Sequence, residues 1–254
     1  MSHRIPIPTQ YATLLKDLFR GLELNVRVVH RNETNRSNPK YGIHVTGPDW
    51  RKVIGALMKK RWSHKHPVEH RMDGSERWSG IFLKLQTSNF HPIEEDRCHA
   101  VVNRACPGIS PRIIVGLTHG RVRITAMEWM ENCTTLYEVL RDPTHILDRI
   151  IARLPYRITA IVSHMWCRAG IAHGDLHEKN VLVSAQGSVY IVDFGFSVRL
   201  PHRMKNKLQN GFDDVCREHV LQTISDRFGL RIGVIPGDWN DDASFLRRLS
   251  KSFV

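Results

Sequence analysis

No two of the five cysteines, Cys98, Cys106, Cys133, Cys167 and Cys216, form a CxxC pair, and their number is odd. A cysteine-rich zinc site and a disulfide scaffold are therefore not expected, and a reducing compartment, cytoplasmic or nuclear, fits best. The opening stretch MSHRIPIPTQYATLLKDLFRG lacks the apolar core of a secretory signal. No later stretch approaches the roughly 20 apolar residues that a membrane-crossing helix needs, so no transmembrane segment is expected. Negative charge is the scarcer sign: 25 Asp and Glu stand against 37 Lys and Arg, a formal net charge of +12. Such an excess favours anionic partners, among them nucleic acid, acidic proteins, phospholipid surfaces and nucleotides, without choosing between them.

What is present suffices for a core. With 254 residues, 41% of them hydrophobic and six of them Trp, the chain is sized for one large domain or two small lobes. The glycosylation-type triplets at Asn32, Asn35 and Asn132 are read as chance matches, because no secretory signal accompanies them. The stretch HKHPVEH, with His64, His66 and His70, is read as a solvated basic loop rather than a metal site.

Apolar spacing predicts a helix from Thr9 to Leu22, a short strand at NVRVV, and turn and loop material over HRNETNRSNPKYG. Trp50 to Arg61 is open between strand and basic helix, with Gly55 counting against the helix. WSGIFLKLQ, Trp78 to Gln86, reads as a strand, and Ile93 to Ala105 as a helix bounded by Pro92 and Pro107. Two strands follow in PRIIVGLTHG and RVRITAMEWM. Beyond Met130 the pattern turns helical, in TTLYEVLRD and in the run from His145 to Ala169. Strands leading into helices predict two lobes joined near Glu131 with a cleft between them.

The chemistry concentrates in GIAHGDLHEKNVLV and the DFG that follows it. A carboxylate such as Asp175 can orient a hydroxyl and accept its proton, while the amide oxygen of Asn180 and the carboxylate of Asp193 are hard ligands suited to magnesium. NVLVS and VYIVDFG, turning at AQGS, form an expected hairpin that brings Asn180 and Asp193 to the same end.

HGDLHEKNVLV followed by VYIVDFG resembles the catalytic and metal loops of the protein-kinase-like superfamily. HGDLH is closer to its compact atypical branch, with the Bud32- and RIO-like kinases and the antibiotic and choline phosphotransferases, than to the HRDL of regulated kinases. The resemblance implies an α+β, bilobal protein-kinase-like fold. A strand-rich N-lobe over residues 1–130 would precede a reduced, mostly helical C-lobe over 131–254. It implies ATP and Mg2+ as cofactors, Asp175 as catalytic base, Asn180 and Asp193 as metal ligands, His173 as a structural residue, and Gly174 and Gly195 as turn formers. Lys84 in IFLKL would be the ATP-phosphate lysine, with Glu95, or its neighbour Glu94, as carboxylate partner. Glu128, Trp129 and Met130 would lie along the adenine edge, and Asp213 or Asp214 would brace the catalytic loop or simply cap a helix. No GxGxxG precedes Lys84 and no APE element follows Asp193.

The implied activity is ATP- and magnesium-dependent phosphotransfer, of atypical serine/threonine protein-kinase type with a protein substrate. A small-molecule hydroxyl kinase is the near alternative. A nucleotide-binding scaffold without catalysis is a third reading, motivated by the absent glycine-rich motif. Lys52, Lys59, Lys60 and Arg61, with Arg199, Arg203, Lys205 and Lys207, form two basic groups that would attract an acidic protein or nucleic acid.

Overall fold

The computed structural model describes residues 9–32, 40–59, 64–67, 78–87, 92–119, 122–146, 148–201 and 226–228. Two compact units emerge. The first comprises the chain through Asp96 together with Arg112–Glu131, and the second comprises Arg97–Pro111 together with the chain from Asn132 onward.

The first unit is built on an antiparallel sheet of six strands in the order β1-β2-β4-β6-β5-β3. Its strands are β1 (Asn25–Asn32), β2 (Lys40–Thr46), β3 (His64–Pro67), β4 (Gly80–Thr87), β5 (Ile113–His119) and β6 (Val122–Glu128). Two helices pack on one face, α1 (Thr9–Leu18) and α2 (Trp50–Lys59). Both carry apolar residues at the spacing of one helical face: Tyr11, Leu14, Leu15 and Leu18 in α1, and Trp50, Val53, Ile54 and Leu57 in α2. These meet the inward residues of alternating strands, Ile43 and Val45, Ile81, Leu83 and Leu85, Val115 and Leu117, Ile124 and Ala126, in one core. Emptying such a site, as in Leu83→Ala, costs about 2–5 kcal/mol.

Trp50 to Lys59 is thus the helix of the two alternatives, since its apolar residues repeat every three to four positions. Gly55 sits in it with open space around its Cα. The stretch from His64 is not a loop: His64–Pro67 pairs with β5 as an edge strand, because β5 would otherwise present an unpaired backbone. His70 lies outside the described residues.

The second unit has its own core. Cys98 and Val102 of helix α3 (Pro92–Ala105), whose first turn belongs to the first unit, and Cys106 just after it pack with Leu136 and Val139 of α4 (Leu136–Arg141). Leu154, Ile158, Ile161 and Val162 of α6 (Leu154–His164) complete that layer. The run from His145 to Ala169 is broken rather than continuous: a short helix α5 (Asp148–Ile151) precedes α6, and a wider π-type turn follows at Met165–Ala169. Pro155 explains the break, because a proline is tolerated in the first helical turn, where its missing N–H has no partner to lose. A small sheet in the order β10-β9-β7 joins β7 (Cys133–Thr135), β9 (Val181–Ser184) and β10 (Val189–Ile191). A second pair joins β8 (Ile171–Ala172) to β11 (Val198–Arg199). The fold is α+β, with a strand-rich sheet first and helices after it. No helix among the described residues is long and apolar enough to cross a membrane.

Candidate phosphotransfer site

In the first unit, Lys84 lies on β4 with its side chain on the face opposite Leu83 and Leu85. Its Nζ donates to Glu95 Oε1, within the first turns of α3, and Glu95 Oε2 accepts from Gln86 Nε2 at 3.2 Å. Lys84 and Glu95 are both buried. Desolvation opposes an ion pair here, and the close contact together with the second hydrogen bond from Gln86 offsets it. The side chain of Glu94, the alternative partner, lies outside the described residues.

Glu128, at the end of β6, turns to its neighbour strand. Its backbone N–H donates to Arg112 O at 2.8 Å and its carboxylate accepts from Arg112 N at 3.0 Å. Met130 follows and is half-buried. Between them Trp129 stacks on the His44 ring of β2 at 3.9 Å and lies 6.3 Å from the Phe82 ring. Burial, with Arg27 nearby, lowers the His44 pKa.

In the second unit, the segment from His173 to Asn180 is tied down residue by residue. His173 is buried, donates from Nε2 to Val192 O at 3.0 Å, and sits 5.2 Å from the Phe194 ring. Phe194 in turn stacks on His99 of α3 at 4.5 Å. Burial lowers the His173 pKa, against the carbonyl of Val192 and the carboxylates of Asp193 and Asp175, so the ring is kept neutral at ordinary pH. Gly174 takes φ 77, and a Cβ there would overlap Phe196 O. Only glycine fits that conformation without strain.

Asp175 is partly exposed, with Oδ2 3.7 Å from His177 Nε2. His177 Nδ1 accepts the Lys179 N–H at 3.2 Å, which leaves the ring proton on Nε2, facing the carboxylate. Asn180 is buried and its Nδ2 donates to Asp175 O at 2.9 Å. With its nitrogen committed, Asn180 presents Oδ1 as its acceptor. The β9–β10 hairpin pairs Val181 with Ile191, and Val192 N–H donates to Asn180 O at 3.0 Å. Asn180 and Asp193 are therefore neighbours at one end of the hairpin. Asp193 adopts φ 62 and ψ 73, a left-handed conformation uncommon outside glycine, while Gly195 is not among the positive-φ glycines. The turn is carried by the aspartate itself.

An amide oxygen and a carboxylate, both hard oxygen donors brought together by one hairpin, fit magnesium rather than a softer metal. Among the described residues, no group of three or more His, Cys, Asp and Glu side chains is gathered to hold a metal. Asp213 and Asp214 lie outside the described residues.

Sequence reasoning missed Asp96, Arg123, His99 and His44. The polar residues of RIT on β6 were the available signal for Arg123, since a strand buried on both faces that keeps its polar residues must satisfy them; Asp96, on α3, carried no such signal.

Residues 109–222 match the ABC1 atypical kinase-like domain. The match takes in Asp175, Asn180 and Asp193 and leaves out Lys84 and Glu95, and it covers under half of the chain. A curated relative, an Aurora kinase of Eremothecium gossypii, is 25% identical over 111 residues, 43% of this chain. The aligned stretch spans 30% of that kinase's own length. Over these stretches, less than half of its length, the chain is similar to an atypical kinase-like domain and to a kinase.

Proposed function

We propose that the chain is an ATP- and magnesium-dependent phosphotransferase of the atypical serine/threonine protein-kinase type, with a bilobal arrangement of residues 1–130 and 131–254. The observation that supports it most is the chain of contacts from Asp175 through Asn180 to the hairpin end at Asp193. It gathers a partly exposed carboxylate with two hard oxygen donors on a fixed backbone.

In this reading Asp175 orients an acceptor hydroxyl and takes its proton as the hydroxyl oxygen attacks the terminal phosphorus of ATP in line. Oxygen-to-phosphorus bonding to the acceptor forms as the bond to the departing ADP breaks. Asn180 Oδ1 and Asp193 would hold magnesium, which neutralises phosphate charge when bound. Lys84, fixed by Glu95, contacts the phosphates, and the backbone near Glu128 and Met130 meets the base. Protein hydroxyls are the proposed acceptors, in a cytoplasmic or nuclear setting. Gly174 favours a second reading, a small-molecule hydroxyl kinase, because its left-handed conformation admits the HGD loop and not the HRD of regulated kinases.

The test is phosphotransfer by the wild-type chain and Asp175→Asn to protein, nucleoside and small polyol acceptors, with ATP affinity measured alongside. The variant should bind ATP and magnesium as before and transfer roughly 100-fold more slowly or worse. Transfer confined to one metabolite would favour the second reading. Undiminished transfer by Asp175→Asn would defeat the mechanism, and ATP binding without transfer by either form would leave a scaffold.

A further inference from the structure

Beside the Lys84–Glu95 pair lies a second buried ion pair with no role in the mechanism above. Arg123 Nη2 donates to Asp96 Oδ2, and Arg123 is fully buried with Asp96 nearly so. Arg123 Nη1 also donates to Thr118 Oγ1 at 2.9 Å, and Thr125 Oγ1 donates to Asp96 Oδ1 at 3.0 Å.

The strand register explains how these groups meet. Lys84 stands opposite Thr125, and Thr125 opposite Gly116; one step along, Gln86 stands opposite Arg123, and Arg123 opposite Thr118. All six positions share the sheet face away from α1 and α2, because they alternate with the core residues Leu83, Leu85, Ile124, Val115 and Leu117. Two consecutive carboxylates from α3 descend onto this polar face. A Cβ at Gly116 would overlap Asp96 Oδ2, so the missing side chain there is the space the carboxylate fills.

Two cations and two anions are therefore confined together, and their pairing must be specified. Burial pushes the Arg123 guanidinium down to about 10, opposed by the Glu95 carboxylate, so Arg123 is electrostatically in reach of the residue that holds Lys84. Arg123 Nε has no hydrogen-bond partner among the described residues. A buried guanidinium that loses its carboxylate has every reason to take the next one.

We infer that Asp96 is a positioning residue for the phosphate-binding lysine: by occupying Arg123 it keeps Glu95 on Lys84. The inference rests on the proposed role of Lys84 and adds a device that sets its geometry from within the first unit. Gly116 and Thr125 serve the same end, the first by making room for Asp96 and the second by fixing its other oxygen.

The pairing can be read without any activity, from the rate at which an amine-reactive ester acylates Lys84, followed by mass spectrometry. In the wild type the paired, buried amine reacts slowly. In Asp96→Asn, Arg123 draws Glu95 away and Lys84 should react about tenfold faster, the gain in free amine when a lysine loses a carboxylate partner. The double variant Asp96→Asn/Arg123→Gln removes the competitor along with its partner, and its rate should return to within about twofold of wild type. A purely structural role would leave the double variant as reactive as the single one. That result, or an unchanged rate in Asp96→Asn, overturns the inference. Should Asp96→Asn fail to fold, the near-isosteric Thr125→Val decides in its place: faster acylation supports the inference and an unchanged rate overturns it. ATP affinity, measured on the same proteins and on Lys84→Met, separates the two layers. An affinity untouched by Lys84→Met would overturn the phosphate-binding role of Lys84 and the functional half of the inference, whereas the acylation rates judge the pairing by themselves.

Discussion

Asp193 carries its left-handed backbone without a glycine's freedom, and an alanine there bears more strain than an asparagine, whose short polar side chain tolerates that region. Asp193→Asn should therefore fold with nearly unchanged stability, and Asp193→Ala should be about 1 kcal/mol less stable in urea denaturation. Both should lose magnesium-dependent ATP turnover, so a turnover defect shared by a stable and a strained variant reports the lost ligand and not the backbone. Gly174 sets the opposite constraint. Gly174→Arg, which writes the HRD of regulated kinases into this loop, places a side chain against Phe196 O and should lower Tm by several degrees; an unchanged Tm would show that the loop relaxes freely. His164 is a third residue whose environment decides its behaviour. Burial, helped by Arg168, pushes its pKa to about 4, and its Nδ1 has no hydrogen-bond partner among the described residues. Because the folded state holds fewer protons than the unfolded one below the usual imidazole pKa, the stabilising effect is complete above about pH 6.5 and is lost as pH falls toward 4. The loss should be on the order of 2 kcal/mol after allowance for partial screening, and His164→Gln should flatten the profile in that window. Glu138 is also shifted, its carboxyl held below the ordinary value by hydrogen bonds from Thr134 and Thr135.

Elements were legible where one period governed them. In β4 and β6 core residues alternate with Lys84, Gln86, Arg123 and Thr125, and α3 is bounded by prolines, so these elements stand in the sequence as they stand in the fold. The segment from His173 to Asn180 was legible because its polar residues interrupt apolar runs at a hairpin. The edge strand at His64–Pro67 was not, since its pairing depends on an open neighbour and not on its own composition. Nor was the pairing of Asp96 with Arg123, which lie 27 residues apart on different elements. Helix α4 shows the local kind of signal at its clearest. Thr135 accepts the Glu138 N–H at 3.2 Å, and Glu138 accepts the Thr135 N–H at 2.9 Å, a reciprocal cap readable as a Thr followed three residues later by Glu. Thr135→Ala should cost about 1 kcal/mol in denaturant unfolding. Thr135→Ser, which keeps the hydroxyl, should cost much less.

At the scale of the whole molecule the charge of +12 acts through its sum, and a sum requires no particular geometry. The basic groups differ in what the structure shows of them. Lys52 is held by Asp49 at 2.6 Å, Lys59 and Arg199 are exposed, and Lys60, Arg61, Arg203, Lys205 and Lys207 lie outside the described residues. Lys84 and Arg123, by contrast, are buried cations already paired, and they add little to the field at the surface. A polyanion such as single-stranded RNA should therefore bind through exposed charge and release counterions as it does. Its affinity should fall at least tenfold between about 50 and 200 mM salt, the behaviour of a ligand that neutralises several phosphates. Lys84→Met, which alters the buried pair and not the exposed charge, should leave that affinity and its salt slope unchanged while weakening ATP binding. Polyanion binding that stays flat with salt would remove the electrostatic basis of the partner, and polyanion binding abolished by Lys84→Met would mean that nucleic acid competes for the nucleotide site itself.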